Sequence, residues 1–230
     1  MGLILAIETS TVVCSVALFD GPLILGLQEL YTEKSHSQFL TPMVGNVVDQ
    51  AGYKLKALDA VAISMGPGSY TGLRIGTSTA KGLCFALDIP LISVNTLMAM
   101  VYGMNKYNQN GKLLCPMIDA RRMEVFSMVT NDKLKILEDT QAKVINELSY
   151  HQFLREYEML FFGNGSDKCK KILSKTPNAH FIKGVNPSAS NIGDLAWKKY
   201  QNKKFEDLAY FEPFYLKSFR ATQPKKLKES

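Results

Sequence analysis

Two short apolar runs constrain the fold of this chain more than any other feature. Each stops at an acid, and each is followed by a second apolar segment. Leu3 to Glu8 precedes Val12 to Phe19, and Leu113 to Asp119 precedes Met123 to Thr130. Runs this short, bounded by an acid and a turn, suit buried strands. After the first pair, Asp20-Gly21-Pro22 signals a tight turn into a third strand, Leu23 to Leu30. Three sequential strands joined by tight turns form an antiparallel meander. In the second half the third strand is placed at Lys133 to Leu137. The two openings match weakly residue by residue, but the order of elements repeats, as an internal duplication would make it.

Helices and strands alternate after each meander. A helix is expected from about Ser35 to Ala51, capped by Ser35 or Ser37 and ended by Gly52. A strand follows at Ala60 to Met65, then the sharp loop Gly66-Pro67-Gly68-Ser69 and a long helix from Tyr70 to Leu87. Pro90 to Val94 reads as a strand and Asn95 to Met104 as a helix. In the second half, helices are expected near Asn146 to Glu156, Asp167 to Ser174 and Ser188 to Lys204, with a strand at Met159 to Phe162. The expected class is α/β: two duplicated ribonuclease-H-like halves with mixed sheets flanked by helices, the architecture of actin, Hsp70 and the sugar kinases. The halves are drawn at residues 1–105 and 106–216, with a basic tail at 217–230.

In kinases of that class, strand-end turns face each other across a cleft and hold nucleotide phosphates and magnesium. Glu8, Thr9, Ser10 and Asp119 are therefore the candidate nucleotide-binding residues. No cationic clamp of the kind phosphoryl transfer requires accompanies them, although Arg121 and Arg122 adjoin Asp119. The loop from Gly66 to Gly76 is neither a Walker loop nor a dinucleotide fingerprint. Gly72, Gly76 and Ala80 recur one helical turn apart and leave a smooth strip. Close packing or partner docking is preferred there to phosphate binding. On the preceding helix, Phe39, Leu40, Met43, Val44, Val47 and Val48 form a wide apolar arc. A core face takes only about a third of a helix, so a wide arc suggests a second buried face against a neighbour.

Charge and cysteines bound the rest. The chain carries +6, but Lys217 to Ser230 holds five basic residues and one acid, leaving the body at 22 basic against 20 acidic, or +2. A body so balanced has no evident footprint for a phosphate backbone. The four cysteines are scattered, with no CxxC pair, and His36, His151 and His180 are isolated, so neither a zinc site nor another metal is expected. No signal peptide or membrane span is read, which places the chain in the cytoplasm.

Ile4-Leu5-Ala6-Ile7-Glu8-Thr9-Ser10, Ser35-His36-Ser37, and above all Gly66 to Gly76 continuing to Ala80-Lys81-Gly82-Leu83 resemble the TsaB (YeaZ) family. Asp119-Ala120-Arg121-Arg122-Met123-Glu124-Val125-Phe126 and Glu212-Pro213-Phe214-Tyr215-Leu216 fit the same family. The resemblance is strong over the first hundred residues or so and looser afterwards. It implies an actin-like ATPase-domain fold and a non-catalytic role beside TsaD, the catalytic subunit that modifies tRNA with a threonylcarbamoyl group. It implies further a TsaE-type ATPase as third partner, a homodimer when the chain is alone, and contact with tRNA through the complex. No cofactor of its own is implied, with ATP and magnesium entering at the level of the complex. Leu40 stands where a metal-binding pair with His36 would need a second histidine. The partner interface is expected at His36, Phe39, Leu40, Met43, Val44, Val47, Tyr70, Gly72, Leu73, Gly76, Ala80 and Leu83, so that Gly76→Arg would abolish pairing and leave the monomer folded. The alternative reading is an autonomous ATP-dependent phosphotransferase or ATPase built on Glu8 and Asp119. Protease activity is not expected, because no nucleophile–base set is present.

Overall fold

The structure is a computed structural model that describes residues 2–32 and 36–217. Ten strands and six α-helices follow one another along these residues. The first half holds β1 (Leu3–Glu8), β2 (Cys14–Asp20), β3 (Leu23–Leu30), α1 (His36–Gln50), β4 (Ala60–Gly66), α2 (Tyr70–Leu87), β5 (Leu91–Asn95) and α3 (Thr96–Asn105). The second holds β6 (Leu113–Asp119), β7 (Glu124–Thr130), β8 (Ile136–Val144), α4 (His151–Leu154), β9 (Met159–Phe162), α5 (Ser166–Leu173), β10 (Ala179–Ile182) and α6 (Ala189–Gln201).

The duplication is plain in the sheets. The first has strand order β3-β2-β1-β4-β5, and the second, read from its other edge, β8-β7-β6-β9-β10. In each, the opening strand is central, antiparallel to its meander partner and parallel to the strand that follows the first helix. Residues of β1 are buried along its whole length, and those of β6 up to Asp119. Strands covered on both faces read as continuous apolar runs rather than alternating ones. These two mixed sheets flanked by helices are the duplicated actin-like architecture.

Boundary residues explain most small departures from the expected elements. The Thr11 hydroxyl accepts from Val13 N at 3.3 Å, so β2 starts at Cys14. Asn95 caps α3 by accepting from Met98 N at 3.0 Å and so stays outside the helix. Larger corrections fall in the second half. The third strand of the meander is Ile136–Val144, not 133–137. Asn131 Oδ1 accepts from the amides of Lys133 and Lys135, and Leu134 turns into the left-handed region (φ 60°), which holds these residues in a loop. The helix expected at 146–156 shrinks to His151–Leu154. Asn146 and Ser149 bond each other in a local turn, and Tyr150 is left-handed (φ 61°). The short edge strand β10 was not expected.

Four apolar clusters make the core. α1 and α2 cover one face of the first sheet, and α6 covers the other through Ile192 and Ala196. α3 packs Leu97, Met100 and Val101 on the second sheet. α3 also turns Ala99 onto the first sheet, so it packs between the two sheets, and α6 returns from the second half to cover the first sheet. After α6 the chain crosses the first half, where Glu206 N donates to Leu91 O and Phe214 N to Met65 O. It then reaches the second half at Lys217, whose ammonium binds Ala120 O. Of the basic tail, Lys217 is therefore anchored, and residues 218–230 lie outside the described residues, as does the proposed cap Ser35.

Candidate functional site

The strand-end loop of the first half is sealed by its own chain. Glu8, Thr9 and Ser10 have no accessible surface, and Thr11 is buried. The cover is the glycine-rich loop and the start of α2. Ser69 N donates to Ser10 O at 2.6 Å, and the Ser69 hydroxyl caps α2 through Gly72 N. A Cβ at Gly72 would collide with the Thr9 carbonyl, one at Gly68 with the Ser10 carbonyl, and one at Gly76 with the Thr9 hydroxyl. These glycines therefore exist to let a helix and a loop lie on the Thr9–Ser10 backbone without side chains between them.

Of the close packing or docking expected at the Gly72/Gly76/Ala80 strip, the structure shows packing: all three residues are buried within the chain, which corrects their place in the expected partner interface. Arginine at Gly76 would have to displace Thr9 and Ile63, so it would disrupt the fold rather than test pairing. Likewise no phosphate can reach Glu8, Thr9 or Ser10 in this conformation.

Glu8 itself is an unusual buried acid. Its Oε1 accepts from Ser10 N at 2.5 Å. Its Oε2 has no hydrogen-bond partner, and neither do the buried hydroxyls of Thr9, Ser10, Ser64 and Thr77. Burial raises its pKa above the usual carboxylate range, and the bond from the Ser10 amide, with the nearby Ser10 and Ser64 side chains, only partly opposes this. The sign of the pH dependence follows. A proton held more tightly when folded stabilises the native state at low pH, and that contribution is lost as pH rises through the folded pKa. Glu8→Gln is therefore expected to melt higher than the parent, by a margin that grows as pH is raised from the acidic range towards 8. Parallel melting curves across that range would contradict it.

Asp119 stands at the matching end of β6, in a different setting. Its carboxylate is half-exposed, pairs with Lys168 Nζ at 2.5 Å and accepts from Arg121 N at 2.8 Å. The two strand-end acids share no hydrogen bond, one being sealed and the other neutralised. Among the described residues no group of three or more His, Cys, Asp or Glu is placed to hold a metal ion. The four cysteines are buried free thiols, and burial pushes Cys14, Cys84 and Cys169 up to about 11.

The residues expected at a partner interface divide sharply. Leu40, Met43, Val44, Val47, Leu73 and Ala80 belong to the chain's own core. His36 is buried with Nε2 3.2 Å from Val13 O. Phe39 is 39 % exposed, while Tyr70 and Leu83 are half-buried. The arc on α1 is one core face, since Leu40, Met43, Val44, Val47 and Val48 follow i, i+3, i+4, i+7 and i+8. The outward surface of α1 and α2, which pack side by side, is made of other residues. Phe85 is 84 % exposed there, and Gly45 and Gly82 have nothing within 4 Å of where a Cβ would stand. Sequence reasoning missed these two glycines. Their signal was present: neither falls on the apolar period of its helix.

No helix among the described residues is long and apolar enough to cross a membrane. A family model, TsaD: tRNA N6-adenosine threonylcarbamoyltransferase, matches residues 30–227. The tRNA threonylcarbamoyladenosine biosynthesis protein TsaB of Haemophilus influenzae is 37% identical, covering 94% of this chain and 93% of its own. TsaB of Escherichia coli is 32% identical over 94% of each chain. The solved structure of YeaZ from Pseudomonas aeruginosa superposes with a TM-score of 0.81 at 26% identity, covering 94% of this chain and all of that one. The chain belongs to the TsaB (YeaZ) family and takes part in tRNA threonylcarbamoyladenosine biosynthesis.

Proposed function

We propose that this chain is a non-catalytic partner and activator of a TsaD-type catalytic subunit in threonylcarbamoyl transfer to tRNA. The sealing of Glu8, Thr9 and Ser10 carries the non-catalytic half of this reading. An acid with no path to substrate, facing hydroxyls rather than cations, cannot take part in phosphoryl transfer without opening α2. The same sealing weighs against an autonomous ATPase. The partner role rests on the outward face of α1 and α2. Gly45 and Gly82 leave room for another helix to approach closely, and Phe39 and Phe85 expose apolar area on the same two helices. Alone, the chain would use this face on a second copy. With the catalytic subunit present it would exchange that copy for the heterodimer, to which a TsaE-type ATPase adds as third component. ATP and magnesium would enter with those subunits. Size-exclusion chromatography with light scattering on the chain alone and on an equimolar mixture with a TsaD-type subunit tests this. A dimer that converts to a one-to-one complex is expected, and two unmixed peaks would refute it.

A further inference from the structure

We propose that the β6–β7 hairpin tip, with the Lys217 corner packed against it, is a contact site for the phosphate backbone of the tRNA. This rests on the functional reading above for its choice of RNA, and on the following geometry for its place.

Arg121 and Arg122 are consecutive at the tip of the hairpin, both exposed, and both in the left-handed region with φ 69° and 45°. Side chains with a Cβ avoid that region, and glycine or asparagine normally fills such turns. Two arginines there cost backbone energy, and among the described residues neither guanidinium pairs with a carboxylate. Neither guanidinium is therefore used by an ion pair of the fold, and both face solvent.

Two lysines hold the turn from behind. Lys168 Nζ donates to Arg122 O and Glu124 O, each at 2.7 Å, and to Asp119. Lys217 Nζ donates to Ala120 O at 3.2 Å and to the Glu124 carboxylate. The turn's carbonyls are thus drawn inward onto ammonium groups, and its outward surface presents the two arginines rather than carbonyl dipoles. Four cations against two carboxylates give this corner +2. The linear count conceals this cluster, because Arg121 and Arg122, Lys168 and Lys217 are distant from one another in sequence.

A phosphate backbone suits the corner better than a protein does. Protein interfaces require a desolvated apolar centre, and the exposed side chains at this corner, Asp119, Arg121, Arg122 and Lys217, are all charged. Backbone contact to RNA requires cations, for which the guanidinium fork is well shaped.

The test is the double variant Arg121→Gly with Arg122→Gly. Glycine accepts the left-handed turn, so the fold is retained or made more stable. Binding of an unmodified tRNA transcript is measured by fluorescence anisotropy between 50 and 200 mM salt, for the chain alone and for its complex with the catalytic subunit. The expected result is binding weaker by roughly tenfold, with a slope of log affinity against log salt shallower by about two, and pairing with the catalytic subunit unchanged. Unchanged affinity and slope would overturn the proposal. So would loss of pairing in the double variant, which would make the corner a protein contact. A parent complex that binds tRNA through this corner yet modifies none would overturn the functional reading and not this site.

Discussion

Gly72→Ala is expected to destabilise this protein by about 2–3 kcal/mol, the cost of forcing an extra methyl group into a packed core. In the middle of an exposed helix the same change would gain ~1 kcal/mol, because alanine is the better helix former. The sign reverses here because the new Cβ would meet a backbone atom, the Thr9 carbonyl, rather than the end of a flexible side chain. Neither partner can yield: Thr9 continues the central strand β1, and α2 is fixed by its cap at Ser69. Gly82→Ala is the control in the same helix. Its Cβ would meet nothing within 4 Å, so it should gain ~0.5–1 kcal/mol through propensity and a less flexible unfolded chain. Chemical denaturation of both variants checks the pair. Equal effects would show that α2 does not lie on the strand-end loop.

The second large effect is expected at the outward face. Gly45→Arg combined with Gly82→Arg should leave the melting temperature of the isolated chain nearly unchanged, since both positions are open. Pairing with the catalytic subunit should weaken by about 100-fold or more, as when ~3 kcal/mol of association energy is lost at an interface centre. Two long, hydrated cations would hold apart helices that otherwise approach through glycine. Analytical ultracentrifugation of the mixed subunits reads this directly. A folded double variant that still pairs with parental affinity would move the interface away from α1 and α2.

The contrast between these experiments shows what the sequence made legible. Leu3–Glu8, Tyr70–Leu87, Leu113–Asp119 and Met159–Phe162 could be read to the residue, because buried central strands and a capped helix carry strong local signals. β8 and α4 could not. Their boundaries depend on side chain–backbone bonds of Asn131 and Asn146 and on left-handed residues at Leu134 and Tyr150. β10 is a half-buried four-residue edge strand whose pairing with β9 is long-range. At the candidate site, Gly72 and Gly76 announced a close approach, but a missing Cβ does not say what approaches. The neighbour proved to be Thr9, more than sixty residues earlier in the same chain. The hairpin corner was hidden for a related reason. Its charges come from β6–β7, α5 and the C-terminal segment, which only the fold brings together.

The central claim, that this chain activates another subunit without chemistry of its own, is tested most directly by reconstitution. A TsaD-type subunit, a TsaE-type ATPase, unmodified tRNA, ATP and threonylcarbamoyl-adenylate are combined with and without this protein, and the modified nucleoside is quantified by mass spectrometry. Modification is expected only when the protein is present, and to persist when the parent chain is replaced by Glu8→Gln. Equal modification without the protein, or its complete loss with a folded and pairing-competent Glu8→Gln variant, would contradict the account.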